Sequence, residues 1–357
     1  MTLLSDGRYE LGEFLAEGGM QKVYNALDLT LNRRVVVKTP KPGEVVKKFS
    51  DSARISSRIN HHNVARTLDH FEENETSYLV EELVEGGTLE EACLVNGRFI
   101  DPHSGARLFA MLAKALEASH GVGVVHRDIK PSNILVEGGY AMDKVKVSDF
   151  GIATLTDAVF ENEIAAKDIT RTTNGTIKGA LPYMAPEMLF RKKGDFIGAE
   201  ADIWSLAAVM FRALTGNFPF GEDFEVPATI GTKGKISHIG WPAFLLEKAA
   251  YAPLSQELMS IVDSCFERNP SDRPTAVQLI EKLSALPYFK GTWRTGKINS
   301  IPAKFWGYVA FLNCNGEDVM CHVDSLYGAN KFSLGQEVSF CSSPGNPHSR
   351  AFPIVLR

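Results

Sequence analysis

The sequence is short of several things that would point to other protein classes. None of its five cysteines, Cys93, Cys265, Cys314, Cys321 and Cys341, lies in a C-x-x-C pair or at a zinc-site spacing. That argues against a zinc module or a disulfide framework and leaves five reduced thiols. No stretch approaches the roughly 18 apolar residues of a membrane span. The opening Met1-Thr2-Leu3-Leu4-Ser5-Asp6 lacks the charged and apolar regions of a secretion signal. A cytoplasmic protein without membrane attachment is expected. Low-complexity tracts and internal repeats are missing too. The formal net charge is only -5, which argues against a surface built throughout for nucleic acid.

What is present is enough for a large core. The chain has 357 residues, 44% of them hydrophobic, so more than one domain fits. From Tyr9 to about Val84, short β-branched runs such as Val35-Val36-Val37 alternate with turn residues, and a polar stretch near 44–58 has helical character. This predicts a small antiparallel sheet with one helix. Leu108, Met111, Leu112, Ala115 and Leu116 recur at helical spacing, as do Ile203, Leu206, Val209, Met210 and Leu214, which predicts a larger, mainly helical body. After Ser284-Ala285-Leu286-Pro287 the helical period stops, and short strand-like runs with glycines follow. A boundary is placed near 290. Charge changes there as well: residues 291–357 carry six Lys or Arg against four Asp or Glu, so the remainder is the acidic part.

Three motifs stand in order in the central body. His126-Arg127-Asp128-Ile129-Lys130-Pro131-Ser132-Asn133 comes first, Asp149-Phe150-Gly151 begins sixteen residues after Asn133, and Ala185-Pro186-Glu187 follows. Phosphoryl transfer needs a cation held against the phosphates, a positive side chain on them and an acceptor for the hydroxyl proton. Together the three motifs resemble the catalytic loop, D-F-G and A-P-E elements of the protein kinases, over residues 9 to about 286. The chain is similar to bacterial kinases of the eukaryotic-like serine/threonine type. The resemblance implies an α+β, bilobal fold, with an N-lobe over about 9–85 and a C-lobe over about 86–290.

It also implies roles. Asp128 would be the catalytic base, Lys130 would steady the transferred group, and Asn133 and Asp149 would hold Mg2+. Arg34-Val35-Val36-Val37-Lys38 resembles the V-A-I-K strand, which gives Lys38 the α- and β-phosphates of ATP. Glu82 and Val84 fall on the hinge of the nucleotide pocket, and Ala16, Gly18 and Val23 in the loop over it. Asp202, Glu187 and Arg273 resemble bracing elements rather than chemical groups. A protein substrate is implied.

Four departures bear on activity. Leu15-Ala16-Glu17-Gly18-Gly19-Met20-Gln21-Lys22-Val23 keeps Gly18 and Val23 of the glycine-rich pattern, but Ala16 and Gln21 stand at the outer glycine positions, which should reshape the cover over the phosphates. Ser52 stands where a helix glutamate normally pairs with the ATP lysine, with Asp51 adjacent and Glu44 further up. Glu81 stands at the back of the pocket, where an apolar residue is usual. A buried carboxylate there is costly unless paired, so either Asp51 or Glu81 could orient Lys38. Ala180 replaces a threonine that steadies the catalytic Asp and Lys. Between Gly151 and Ala185, Thr170, Thr172, Thr173 and Thr176 are candidate phosphorylation sites. Thr172 and Thr173 lead, since Arg127 can pair with a phosphothreonine.

Residues 291–357 resemble a cold shock domain, a small OB-fold barrel. Gly296-Lys297-Ile298, Lys304-Phe305-Trp306-Gly307-Tyr308-Val309, Asp318-Val319-Met320-Cys321-His322-Val323 and Leu334-Gly335-Gln336-Glu337-Val338-Ser339-Phe340 are similar to its strands. The resemblance implies single-stranded RNA or DNA as a partner, stacked on Trp306, Tyr308 and His322. Met320 and Val323 replace two platform aromatics, so a barrel reused for docking a substrate or the kinase lobes is the other reading. The whole chain reads as a kinase localised by its barrel. A pseudokinase scaffold and a nucleic-acid-binding regulator are the alternatives.

Overall fold

The computed structural model describes residues 2–17, 21–41, 46–95, 98–150, 179–192, 194–223, 225–232, 234 and 236–357. The N-terminal part is a six-stranded antiparallel sheet of β1 (Thr2–Leu4), β2 (Tyr9–Glu17), β3 (Gln21–Asp28), β4 (Arg33–Pro40), β5 (Thr67–Glu73) and β6 (Thr76–Glu82), in the order β1-β2-β3-β4-β6-β5. The sheet thus begins earlier than the expected Tyr9. One helix, α1 (Val46–Ser56), packs on β5 and β6. Side chains alternate across a strand, which sends Val35, Val37 and Val80 into the core under Tyr9. Their neighbours Val36, Lys38, Leu79 and Glu81 consequently share the opposite face.

The second lobe is built on α2 (Pro102–Gly121), α3 (Glu200–Thr215), α4 (Ala252–Cys265) and α5 (Ala276–Ser284). Three of these helix ends have a clear local cause. Asp101 caps α2 by accepting from the backbone N–H groups of His103 and Ser104, with Pro102 at the first position. Thr275 and Gln278 form a capping box on α5. Gly216, at φ 77°, ends α3 in the left-handed conformation. Three short strands, β7 (Gly87–Thr88), β8 (Ile134–Glu137) and β9 (Lys144–Val147), carry the expected catalytic segments on the rim facing the sheet.

Beyond α5 the chain forms β10 (Arg294–Ser300), β11 (Val309–Cys314), β12 (Glu317–His322), β13 (Leu326–Tyr327), β14 (Glu337–Ser343) and β15 (Ser349–Leu356). Strands β12-β11-β10-β14-β15 are hydrogen-bonded in that order, and a parallel β12–β15 pairing closes them into a five-stranded barrel. Its interior holds Ile298, Leu312, Val319, Val338, Phe340 and Ile354.

The barrel is seated on the helical lobe. Tyr327 and Val355 belong to the same buried cluster as the helices. The Tyr327 ring lies 4.9 Å from Tyr251 and 5.8 Å edge-on to Phe99, and Phe352 lies 5.0 Å from His103. The Tyr251 hydroxyl donates to the Ser325 carbonyl at 2.6 Å and accepts from the Ile354 N–H at 3.4 Å. Lys248 Nζ donates to the Val323 carbonyl at 3.1 Å. The sequence signal for this contact is faint, because His103, Tyr251 and Phe352 each read as ordinary core or surface residues of their own segments.

Candidate active site

The cross-strand register of β4 and β6 builds the first half of the site. Val36 is opposite Glu81 and Lys38 opposite Leu79, so Glu81 is the diagonal neighbour of Lys38 on the cleft face. Lys38 Nζ lies 2.6 Å from Glu81 Oε2 and 3.0 Å from Asp149 Oδ1, and the lysine and Glu81 are both buried. Of the two carboxylates weighed from the sequence, Glu81 is the partner. Asp51 is half-exposed and faces Arg54 at 3.8 Å instead. The physical reason is anchoring: β4 and β6 are bonded neighbours in one sheet, whereas Asp51 belongs to a helix surface.

These charges set one another. Burial alone would lower the Lys38 ammonium, but Asp149 and Glu81 outweigh it and hold it above its ordinary value. Burial likewise opposes the Asp149 carboxylate, yet Lys38, Gln21 and Ser148 keep it at about 2. Glu81 is raised, burial being only partly offset by Lys38.

The second half is the loop before β8. Asn133 Nδ2 donates to the Asp128 carboxylate at 2.9 Å and to its carbonyl at 2.8 Å. Lys130 Nζ is 2.8 Å from Asp128 Oδ2, a contact made with Ala180 in place of the usual threonine. Ser148 ties the halves together: its N–H donates to the Asn133 carbonyl at 2.9 Å and its hydroxyl to Asp149 Oδ2 at 3.1 Å. His126 donates from Nε2 to the Ser148 carbonyl at 2.8 Å and accepts at Nδ1 from the Asp128 N–H at 3.2 Å. Its ring meets Phe150 edge-on at 4.5 Å.

Arg127 and Asp149 both sit at positive φ, 62° and 64°, a strained conformation for residues with a side chain. Buried Asp202 holds the first of these turns by accepting from the N–H groups of His126 at 2.8 Å and Arg127 at 2.6 Å. Arg273 grips Glu187 through two bonds of 2.7 and 2.8 Å. A cleft of about 360 Å³ opens beside Lys130, walled by Pro131, Ser132, Pro182, Tyr183 and Phe218.

Of the residues expected around the nucleotide, Ala16 and Val23 are paired across β2 and β3. Glu82 accepts from Lys146 Nζ at 2.5 Å and from the Arg66 N–H at 2.8 Å, and Val84 follows it in the connection to the helical lobe. Gly18, Thr170, Thr172, Thr173 and Thr176 lie outside the described residues. Gln21, which the sequence offers only as a missing glycine, donates from Nε2 to Asp149 Oδ1 at 2.7 Å.

In the barrel, one expectation is corrected. Trp306 and Tyr308 do not lie on a strand; residues 303–305 form a short 3-10 turn, Trp306 has φ 54°, and β11 starts only at Val309. Gly307 at φ 84° extends that turn and delays the extended run. Trp306 is 88% and Tyr308 60% exposed. His322 ends β12 opposite Val309, and the Val323 N–H donates to the Tyr308 carbonyl at 2.9 Å, so it is Val323, not His322, that faces Tyr308 in register.

Residues 9–285 match the family model described as "Protein kinase domain". The chain is 34% identical over 232 residues to the serine/threonine-protein kinase PrkC of Bacillus subtilis, covering 64% of this chain and 33% of that protein. It is 35% identical over 227 residues to PknA of Mycobacterium tuberculosis (61% and 49%) and 32% over 279 residues to PknB (76% and 41%). The chain thus spans a third to a half of the length of these relatives. Among solved structures, Rad53 1-466 in complex with AMP-PNP aligns with TM-score 0.58 at 23% identity, over 78% of this chain and 65% of that one, a likeness of fold. All five cysteines are buried and unpaired, and no described helix is long and apolar enough to cross a membrane.

Proposed function

Because the chain belongs to the protein kinase domain family, we propose that it is an active serine/threonine kinase that transfers the γ-phosphoryl group of ATP to protein hydroxyls. The observation that carries this reading is the joining of Lys38, Asp128, Lys130, Asn133 and Asp149 through Ser148 in one network between the lobes.

The donor set fits a hard cation. Asp149 offers a carboxylate kept ionised, and Asn133, with Nδ2 committed to Asp128, has its amide oxygen left. Among the described residues no cluster of three or more His, Cys, Asp or Glu forms a metal site by itself, which suits Mg2+ shared with nucleotide phosphates. When bound, Mg2+ and ATP supply charge neutralisation and the transferable group. Asp128 is positioned to accept the proton of the incoming hydroxyl, Asn133 and Lys130 keep its carboxylate oriented, and Lys38 is the cation for the α- and β-phosphates. The cleft beside Lys130 would take the acceptor segment. Intact phosphate- and metal-facing groups favour this reading over a pseudokinase. The purified chain incubated with labelled ATP and Mg2+ should transfer label to itself or a generic protein substrate, and an Asp128→Ala form should not.

A second activity is proposed for residues 291–357. The barrel is antiparallel except at the β12–β15 closure, an order that supports an OB-type, cold shock-like barrel. The exposed rings of Trp306 and Tyr308, with His322 at the end of β12, favour weak, sequence-tolerant binding of single-stranded RNA or DNA.

A further inference from the structure

We propose that Gln21 is a latch across the cleft, competing with the metal-bound nucleotide for Asp149. The inference rests on the kinase reading above. Gln21 opens β3 opposite Pro40 of β4, so its backbone belongs to the sheet, and it is only 8% exposed. Asp149 follows β9 of the other lobe. The 2.7 Å bond between Gln21 Nε2 and Asp149 Oδ1 therefore joins the lobes directly.

Both oxygens of Asp149 are engaged. Oδ1 accepts from Gln21 and, at 3.0 Å, from Lys38, while Oδ2 accepts from the Ser148 hydroxyl at 3.1 Å. A carboxylate oxygen has two in-plane lone pairs, and these two donors take both on Oδ1. Magnesium binds oxygen at about 2.0–2.1 Å in a demanding octahedron, so it cannot share a lone pair with an amide hydrogen, and with Gln21 in place only the second lone pair of Oδ2 is left to it. A glycine at this position would have no such side chain, so residue 21 adds a closing contact that a metal using Oδ1 has to break.

A charge-assisted hydrogen bond of ordinary strength corresponds to roughly a ten- to hundredfold change in an equilibrium constant. The test uses the full chain, Gln21→Ala, and Gln21→Met, which keeps the bulk but loses the donor. Each is titrated calorimetrically with Mg2+ and a non-hydrolysable ATP analogue, and each is melted without nucleotide. Both variants should bind metal–nucleotide about tenfold or more tighter, yet melt at a lower temperature when no nucleotide is present. These opposite signs would not come from a merely structural side chain. Equal or weaker binding by the variants, while the unaltered chain binds, overturns the latch alone. Tightening by Gln21→Ala without Gln21→Met shows that bulk rather than the bond opposes binding, and also overturns it. No binding by the unaltered chain overturns the latch together with the kinase reading beneath it.

Discussion

Lys38 and Glu81 are ion-paired within a single sheet, Nζ to Oε2 at 2.6 Å, from strands that are themselves hydrogen-bonded neighbours. The helix α1 takes no part in this pair. A lysine held by its own sheet keeps its orientation through any movement of that helix, so the carboxylate that orients Lys38 is Glu81.

Glu81→Gln should accordingly lower kcat/KM, by about tenfold or more if one charge-assisted contact is lost. Asp51→Ala, which removes only an exposed contact to Arg54, should leave kcat/KM within twofold (a change below about 0.5 kcal/mol). Steady-state kinetics on a peptide substrate decides it. Equal effects of the two changes would return the role to the helix.

Asp128→Ala and Asp149→Asn should each abolish most phosphoryl transfer, a loss of roughly 10²- to 10⁴-fold for the base. Circular dichroism should stay near normal, since neither side chain fills the core. Retained autophosphorylation in both would contradict the assignment.

The barrel contact predicts a stability effect far from the cleft. Tyr327→Ala removes a ring packed among Phe99, Phe244 and Tyr251 and should cost about 3–5 kcal/mol in urea unfolding, as large aromatic truncations in cores do. Leu334→Ala, on an exposed loop of the same barrel, should cost under about 0.5 kcal/mol. Similar values for both would mean that the barrel is not seated as described.

Acid should act on the Lys38–Asp149 pair. The folded Asp149 is depressed to about 2 from the ordinary 3.8. The stabilisation it confers is thus fully present above pH 4 and is lost as pH falls toward 2. Between pH 5 and 3, chemical denaturation of Asp149→Asn should show a shallower fall in stability than the unaltered chain. Parallel curves would show that Asp149 does not titrate this way.

For the barrel surface, Trp306→Ala with Tyr308→Ala in the full chain should weaken single-stranded RNA or DNA binding at low salt by about 1–3 kcal/mol per stacked base. Fluorescence anisotropy is the readout. Undetectable binding at micromolar concentrations, or equal binding by the double variant, would leave the barrel as a docking element.

Much of this was legible because local rules and tertiary demands agreed. The alternation of Val35-Val36-Val37-Lys38 placed the lysine on the face away from the core, and the Asp128–Asn133 spacing forced a turn that the structure closes with their hydrogen bond. Glu81 was legible as an anomaly, since a carboxylate buried at the back of a pocket demands a partner. Choosing it over Asp51 required register, and register depends on pairing between strands distant in sequence. Gln21 was read by what it lacked; a side chain reaching another lobe leaves no local periodicity. Pattern puts Trp306 and Tyr308 on a strand, whereas Gly307 turns the chain there. The seating of the barrel on Phe99, His103 and Tyr251 has no pattern at all, since aromatic residues look alike whether they pack within a body or between two.

That seating has a consequence for how the protein is made. Phe99, His103 and Tyr251 are synthesised well before Tyr327, Phe352 and Ile354, the residues that cover or bond to them. At roughly 5–20 residues per second, the face around Tyr251 waits on the order of 5–20 s for its cover. During that interval the emerging helical lobe shows an apolar, aromatic surface that the finished molecule hides, and it is there that a chaperone, or a second nascent copy, would find its purchase.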